Sequence, residues 1–227
     1  MRSLIAVIAM LAIASLSATA SFLDDFSYPD GTFPPEWTWT GDPRGAGVFE
    51  VHDETFVHVS GGHIHFFRDL EVCGTGVYEF DARDWDWGFA WRINPANPNA
   101  GSCFCFYHND YWGWAYNFVE FDWSTLGGYP EGQYMWHNGW HTRIEHHYAG
   151  PQSGWVHVRI EDTGDHVRIW LDDDLIFDID VTPIPDGYPG LGSSWADSML
   201  PAFDNVSYSS FSPIEETSWS SIKALFR

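Results

Sequence analysis

The stretch "WVHVRIEDTGDHVRIWLDDDLIFDID", residues 155–180, alternates apolar and polar side chains and is interrupted twice by turn-forming residues. A period of two is the mark of a strand with one buried and one wet face, because successive side chains leave opposite sides of the pleat. Val156, Val158 and Ile160 are thereby assigned to a core, and Trp155, His157, Arg159 and Glu161 to the opposite face. Val167, Ile169 and Leu171 repeat the pattern and leave Arg168 and Trp170 outside. The first break, "EDTGDH", carries Gly164, a natural turn residue, and the second is the acidic triplet of "LDDDLIF".

Outward from this stretch the same texture recurs in "TFVHVS", "HIHFF", "VYEFDA", "FAWRI", "CFCFYH", "YNFVEFDW", "HTRIEHH" and "FDNVSY", each bounded by Gly, Pro, Asn or Asp. Helical periodicity is nearly absent between residues 22 and 210. The fold class expected is all-β, a sandwich of two antiparallel sheets. In "VYEFDA", Tyr78, Phe80 and Ala82 alternate with Val77, Glu79 and Asp81. In "YNFVEFDW", Val119, Phe121 and Trp123 are placed in the core, and Tyr116, Phe118, Glu120 and Asp122 on the outer face. Glu120 and Asp122 then stand roughly 6.6 Å apart along one strand. Two acid pairs on one sheet face need counter-charges, which Arg83, Arg92, Arg143 and Arg159 can supply.

The ends of the chain read differently. Residues 1–20 combine Arg2, the apolar run "LIAVIAMLAIA" and small residues at Ala18 and Ala20, the pattern of a secretory signal peptide cut after Ala20. The run falls short of the roughly 20 residues a membrane span needs, and no later one approaches it, so no membrane span is expected. Residues 21–211 suit a single domain. Residues 212–227 form a tail in which Thr217 or Ser218 can cap a short C-terminal helix, with Trp219, Ile222, Leu225 and Phe226 at helical spacing. That helix either packs back on its own domain or, from Pro213 to Arg227, docks on a partner.

Acidic residues number 32 against 10 basic ones, and Lys223 is the sole lysine. A phosphate backbone would be repelled, so nucleic acid is excluded as a partner. Such acidity suits an extracellular setting and offers oxygen ligands to calcium. Of the three cysteines, Cys73, Cys103 and Cys105, export favours one bridge from Cys73 to either of the others. In "HNGWHTRIEHH", His146 and His147 lie on opposite sides of a strand and match no zinc spacing.

Three phrases in order, "FLDDFSYPDGTFPPEWT", "GWVHVRIEDTGDHVRIWLDDDLIFDID" and "GYPGLGSSWADSMLPAFDNVSY", resemble the laminin-G-like branch of the concanavalin A-like lectin and glucanase superfamily over residues 22 to 210. The resemblance implies a jelly roll whose first and last strands lie side by side, with carbohydrate contacted by the concave sheet or by the loops at one rim. It also implies a structural calcium ion near the meeting of the chain ends, for which Asp24 or Asp25 and Asp204 are the matching residues.

Retaining glucanases of this superfamily carry E-x-D-x-x-E. Here Glu120 matches the nucleophile and Asp122 the middle acid, but Ser124 and Thr125 stand where the proton donor belongs. Neither hydroxyl can act as a general acid near neutral pH, and a paired acid about 5 to 5.5 Å from the nucleophile is what the retaining reaction requires. Hydrolysis through Glu120 and Asp122 therefore needs an acid from elsewhere, such as Glu79 or Asp81. Binding is the favoured reading. Fourteen tryptophans are present, of which Trp91, Trp123 and Trp170 are expected to be core or half-core. Trp85, Trp87, Trp112 and Trp114 flank Gly and Asp in expected loops, where a flat indole can meet the C–H face of a sugar. Asp84, Asp86, Asn109 and Asp110 are placed to accept its hydroxyls, with Tyr116, Glu120 and Asp122 beside them. The expected partner is a polysaccharide. A third reading makes the chain a structural or adhesive surface protein that assembles through its tail.

Overall fold

In a computed structural model of the protein, the described residues are 21–39, 48–60, 64–68, 72–84, 87–93, 102–106, 133–137, 143–147, 154–193 and 201–211. The expected signal peptide, the strand expected to carry Glu120 and Asp122, and the expected tail helix all lie outside them.

Fifteen strands are described: β1 (Ser21–Asp24), β2 (Trp37–Trp39), β3 (Val48–His52), β4 (Thr55–Ser60), β5 (Ile64–Arg68), β6 (Gly76–Arg83), β7 (Trp87–Ile93), β8 (Ser102–Phe106), β9 (Gln133–His137), β10 (Arg143–His147), β11 (Trp155–Asp162), β12 (His166–Leu171), β13 (Asp174–Asp180), β14 (Tyr188–Ser193) and β15 (Ala202–Ser210). They form two antiparallel sheets. One has eight strands in the order β13-β12-β11-β6-β15-β4-β3, with β1 also on β15, and the other has seven in the order β10-β9-β8-β7-β14-β5-β2. First and last strands pair, Ser21 opposite Ser209 and Asp24 opposite Val206, as the resemblance implies.

The meander of residues 155–180 is β11, β12 and β13. Val156, Val158, Ile160, Val167, Ile169 and Leu171 are all buried, and the turn at Gly164 takes a φ of +102°, which only glycine adopts without strain. Between the sheets the core is aromatic. Phe80 stacks on Phe89 with centroids 4.6 Å apart and meets Trp87 edge-on at 5.5 Å. Such pairs add about 0.5–1.5 kcal/mol each beyond burial of area.

β7 is buried along its whole length. Trp87, Phe89 and Trp91 contact core rings of the facing sheet, Trp87 meeting Phe80 and Phe203 while Phe89 and Trp91 meet Tyr78. Trp91 was expected there, and Trp170 is half-buried as expected. β14, "YPGLGS", has no alternation at all. It is a strand because its neighbours β5 and β7 supply hydrogen-bond partners on both sides, and tertiary pairing overrides the weak strand preference of Gly and Pro.

Two buried ion pairs fasten the sheets to each other. Asp162 on β11 accepts from Trp91 Nε1 at 3.0 Å and from Arg92 Nη1 at 3.0 and 3.2 Å. Asp24 on β1 accepts from Trp37 Nε1 at 2.8 Å and from Arg68 Nη1 at 3.3 Å. Cys73 is buried and pairs backbone to backbone with Gly187. The side chains of Cys103 and Cys105 lie outside the described residues.

Candidate functional site

Of the residues assigned to sugar contact, Asp84 and Trp87 are the two whose side chains are described, and they part company. Trp87 is a correction. It lies in a strand, not a loop, with 1 % of its surface exposed, and its Nε1 donates to the Asp84 carbonyl at 2.9 Å. An indole so enclosed offers no face to a sugar. In "DWDWGFAW" the alternation of Trp87, Phe89 and Trp91 already marks a core face, and the flanking Asp and Gly hid it. Asp84 closes β6 with a φ of +64°, and its carboxylate lies 3.4 Å from Arg83 Nε. Trp85, Asp86, Asn109, Asp110, Trp112, Trp114, Tyr116, Glu120 and Asp122 lie outside the described residues.

The two acids held in reserve for catalysis are already engaged. Glu79 and Asp81 stand on the outward face of the eight-stranded sheet. Glu79 accepts from Arg159 at 3.0 Å, and Asp81 is bridged to the His157 ring at 2.8 Å and accepts from Asn205 Nδ2 at 2.9 Å. The pattern continues outward across the sheet: Arg159 to Glu161 at 2.6 Å, Arg168 to Glu161 at 3.6 Å and to Asp178 at 3.4 Å. His166 bridges Asp180 at 2.7 Å and Asp178 at 2.5 Å, and these bonds raise its pKa above the usual histidine value. This face is a ladder of compensated charge, whose exposed pairs contribute little to stability. Arg159 plays the counter-charge expected of it, whereas Arg92 is buried in the core with Asp162. Among the described side chains of the seven-stranded sheet there is no carboxylate; the side chain of Glu145 on β10 lies outside the described residues.

At the meeting of the chain ends, Asp24 is spent. Besides Trp37 and Arg68 it accepts from the Phe26 N–H at 3.0 Å and the Tyr28 hydroxyl at 3.5 Å, at 5 % exposure. Three of these bonds go to Oδ2 and one, from the Phe26 N–H, to Oδ1. Asp25 accepts from the Ser27 N–H at 3.2 Å and is exposed. Asp204 is held above the usual carboxylate range, first by partial burial and then by the charges of Asp81, Asp25 and Glu54, against the opposing bond from the Asn205 N–H at 2.7 Å. Among the described residues no group of three or more His, Cys, Asp or Glu side chains is placed to hold a metal ion.

The Asp204 shift carries a sign. The folded state holds this proton more tightly than the unfolded chain, so ionisation costs stability as pH rises from about 3.8. Asp204→Asn is expected to raise the melting temperature at pH 7 by an amount equivalent to less than about 1 kcal/mol, with the gain vanishing at pH 3. Thermal unfolding at both pH values in chelator checks this. A fall on substitution that appears only with calcium present is what a metal role for Asp204 would give instead.

The pairing of first and last strands, the two antiparallel sheets and the core between them define the fold as a concanavalin A-like jelly roll. Solved structures share it. The carbohydrate-binding module CBM66 from Bacillus subtilis superposes with a TM-score of 0.52 at 17 % identity, covering 76 % of this chain and 95 % of that one. A beta-1,3-1,4-glucanase (lichenase) derived from a mouse hindgut metagenome gives 0.54 at 9 %, over 84 % and 99 %. A glycosyl hydrolase family 16 protein from Mycobacterium smegmatis gives 0.51 at 12 %, over 82 % and 98 %. No family model matches the sequence, and no curated protein does.

Proposed function

We propose that this protein is an exported jelly roll that binds polysaccharide without cleaving it. The observation that carries the reading is the pair Ser124 and Thr125 in the place of the third acid of E-x-D-x-x-E. Absence of the proton donor removes the function retaining hydrolysis can least spare, while a binding role needs only aromatic rings and hydroxyl acceptors. The engagement of Glu79 and Asp81 by His157, Asn205 and Arg159 supports the absence of cleavage, and the carbohydrate-binding module and glycoside hydrolases among the similar structures support a carbohydrate partner. Contact falls to Trp85, Trp112, Trp114 and Tyr116, with Asp84, Asp86, Asn109 and Asp110 accepting hydroxyls. Calcium at the chain ends belongs to the same proposal, with Asp25, Asp204 and backbone carbonyls as the oxygen ligands. Docking through residues 213–227 is the role proposed for the tail.

Native electrophoresis through gels cast with different polysaccharides tests the reading. The acidic chain migrates well, so retardation reports binding and a cleared track after polymer staining reports cleavage. Retardation without clearing is the expected outcome, with Trp112→Ala or Trp114→Ala weakening it by about 1–3 kcal/mol, by analogy with aromatic stacking on nucleobases. Clearing overturns the non-catalytic reading.

A further inference from the structure

The outward face of the eight-stranded sheet holds a groove of about 500 Å³ at the end where β6 stops. Its geometry follows from register. Val57, Ala202, Arg83 and Trp155 are consecutive partners across β4, β15, β6 and β11, so all four leave the sheet on one side. Ala202 adds no bulk between its neighbours. Val57 and Val59 give the groove an apolar side, Arg83 and Trp155 the facing wall, and Asp53 and Thr55 of the β3–β4 hairpin a polar rim.

The wall is preorganised. Trp155 is 45 % exposed, unusual for an indole in a sheet, and the Arg83 guanidinium lies 5.2 Å from its ring centre. The Asp84 carboxylate lies 3.4 Å from Arg83 Nε. The rim is fixed as well: Asp53 and Glu54 both take positive φ, 49° and 59°, in the two-residue turn, and the Asp53 N–H donates to Asp30 Oδ1 at 3.1 Å.

We propose that this groove binds a neutral sugar unit. A volume near 500 Å³ falls within the range of small-ligand sites. The indole offers a platform for pyranose C–H groups, Arg83 donates to ring or hydroxyl oxygens, and Asp53 accepts from hydroxyls. Donors and acceptors together suit a polyol. An anionic sugar is disfavoured by Asp53 and Asp84 and by the net charge of −22. The inference takes its ligand class from the proposed polysaccharide binding, and assigns it to Trp155 and Arg83, which lie outside the Trp-rich stretches.

The test uses the full chain and its Trp155→Ala, Arg83→Gln and Trp114→Ala variants in gels containing mixed-linkage β-1,3-1,4-glucan or, as an anionic control, alginate. Circular dichroism melting confirms that each variant is folded, which the exposed position of Trp155 at a strand end favours. Retardation by the neutral glucan is expected to weaken about fivefold or more in Trp155→Ala and less in Arg83→Gln, with melting unchanged. Wild-type retardation in both groove variants, with loss in Trp114→Ala, overturns the groove and leaves the binding reading standing. Retardation by alginate that depends on Trp155 overturns the neutral ligand class. Free migration of the wild type in the neutral glucan with retardation by another polymer overturns the groove as a neutral-sugar site and leaves the binding reading standing, and free migration in every gel overturns both.

Discussion

Replacing Asp162 by alanine is expected to cost about 3–5 kcal/mol of stability, the largest single loss we predict outside the apolar core. Asp162 is 1 % exposed and carries three obligations at once. It neutralises Arg92, itself 4 % exposed, through two contacts of 3.0 and 3.2 Å. It accepts from the Trp91 indole at 3.0 Å and from the Gly164 N–H at 2.7 Å, so one carboxylate joins the two sheets and closes the β11–β12 turn. Removing it strands a guanidinium whose remaining partners are the Ile184 carbonyl and, at 3.9 Å, the exposed Asp186. A buried charge left without its counter-ion costs more than the pair contributed. Against a typical total of about 5–15 kcal/mol, the variant should unfold at markedly lower urea with an unchanged slope. Asp162→Asn retains an acceptor oxygen and should lose less. The double variant Arg92→Met, Asp162→Leu should recover most of the loss, because no charge is then left buried. A loss below about 1 kcal/mol for Asp162→Ala would mean that Arg92 reaches solvent through Asp186 and that the pair is not what joins the sheets.

The contrast between Trp87 and Trp155 shows where the sequence is legible and where it is not. Alternation placed Val156, Val158 and Ile160 inside and Trp155, His157 and Arg159 outside, and each lies where a period of two puts it, because strand geometry leaves no other choice. The core side of β6 was readable for the same reason. Trp87 was misplaced because Asp and Gly beside it resemble a loop, whereas β14 and β8 pair with its strand from both sides. β14 could not be read at all: a strand of Gly and Pro exists only through its neighbours. The groove is invisible to any single segment, since Val57, Arg83 and Trp155 come together by register across strands distant in sequence. Asp24 was singled out only through the family resemblance, which offers it or Asp25 as a calcium ligand. Its structural role was not legible, because Trp37 and Arg68 reach it only in the folded chain.

Asp24→Ala is expected to cost about 3 kcal/mol, and the cause separates a structural carboxylate from a calcium ligand. Three donors besides Arg68 converge on Asp24: Trp37 Nε1 at 2.8 Å, the Phe26 N–H at 3.0 Å and the Tyr28 hydroxyl at 3.5 Å. Arg68 retains Glu36, a more exposed partner, and its stacking 4.6 Å from the Phe22 ring centre, which is why the loss should fall short of that at Asp162. The effect must then be the same in calcium and in chelator, since no metal bond is broken. A loss seen only in calcium would reassign Asp24 to the metal. Tyr28 gives an independent readout. Its hydroxyl is pushed up to about 12, first by burial and then by the charge of Asp24. Without that charge the phenol should ionise at lower pH, followed by ultraviolet difference absorption. A Tyr28 titration that stays put after Asp24→Ala would show that burial alone sets it and that the carboxylate does not hold this corner of the fold together.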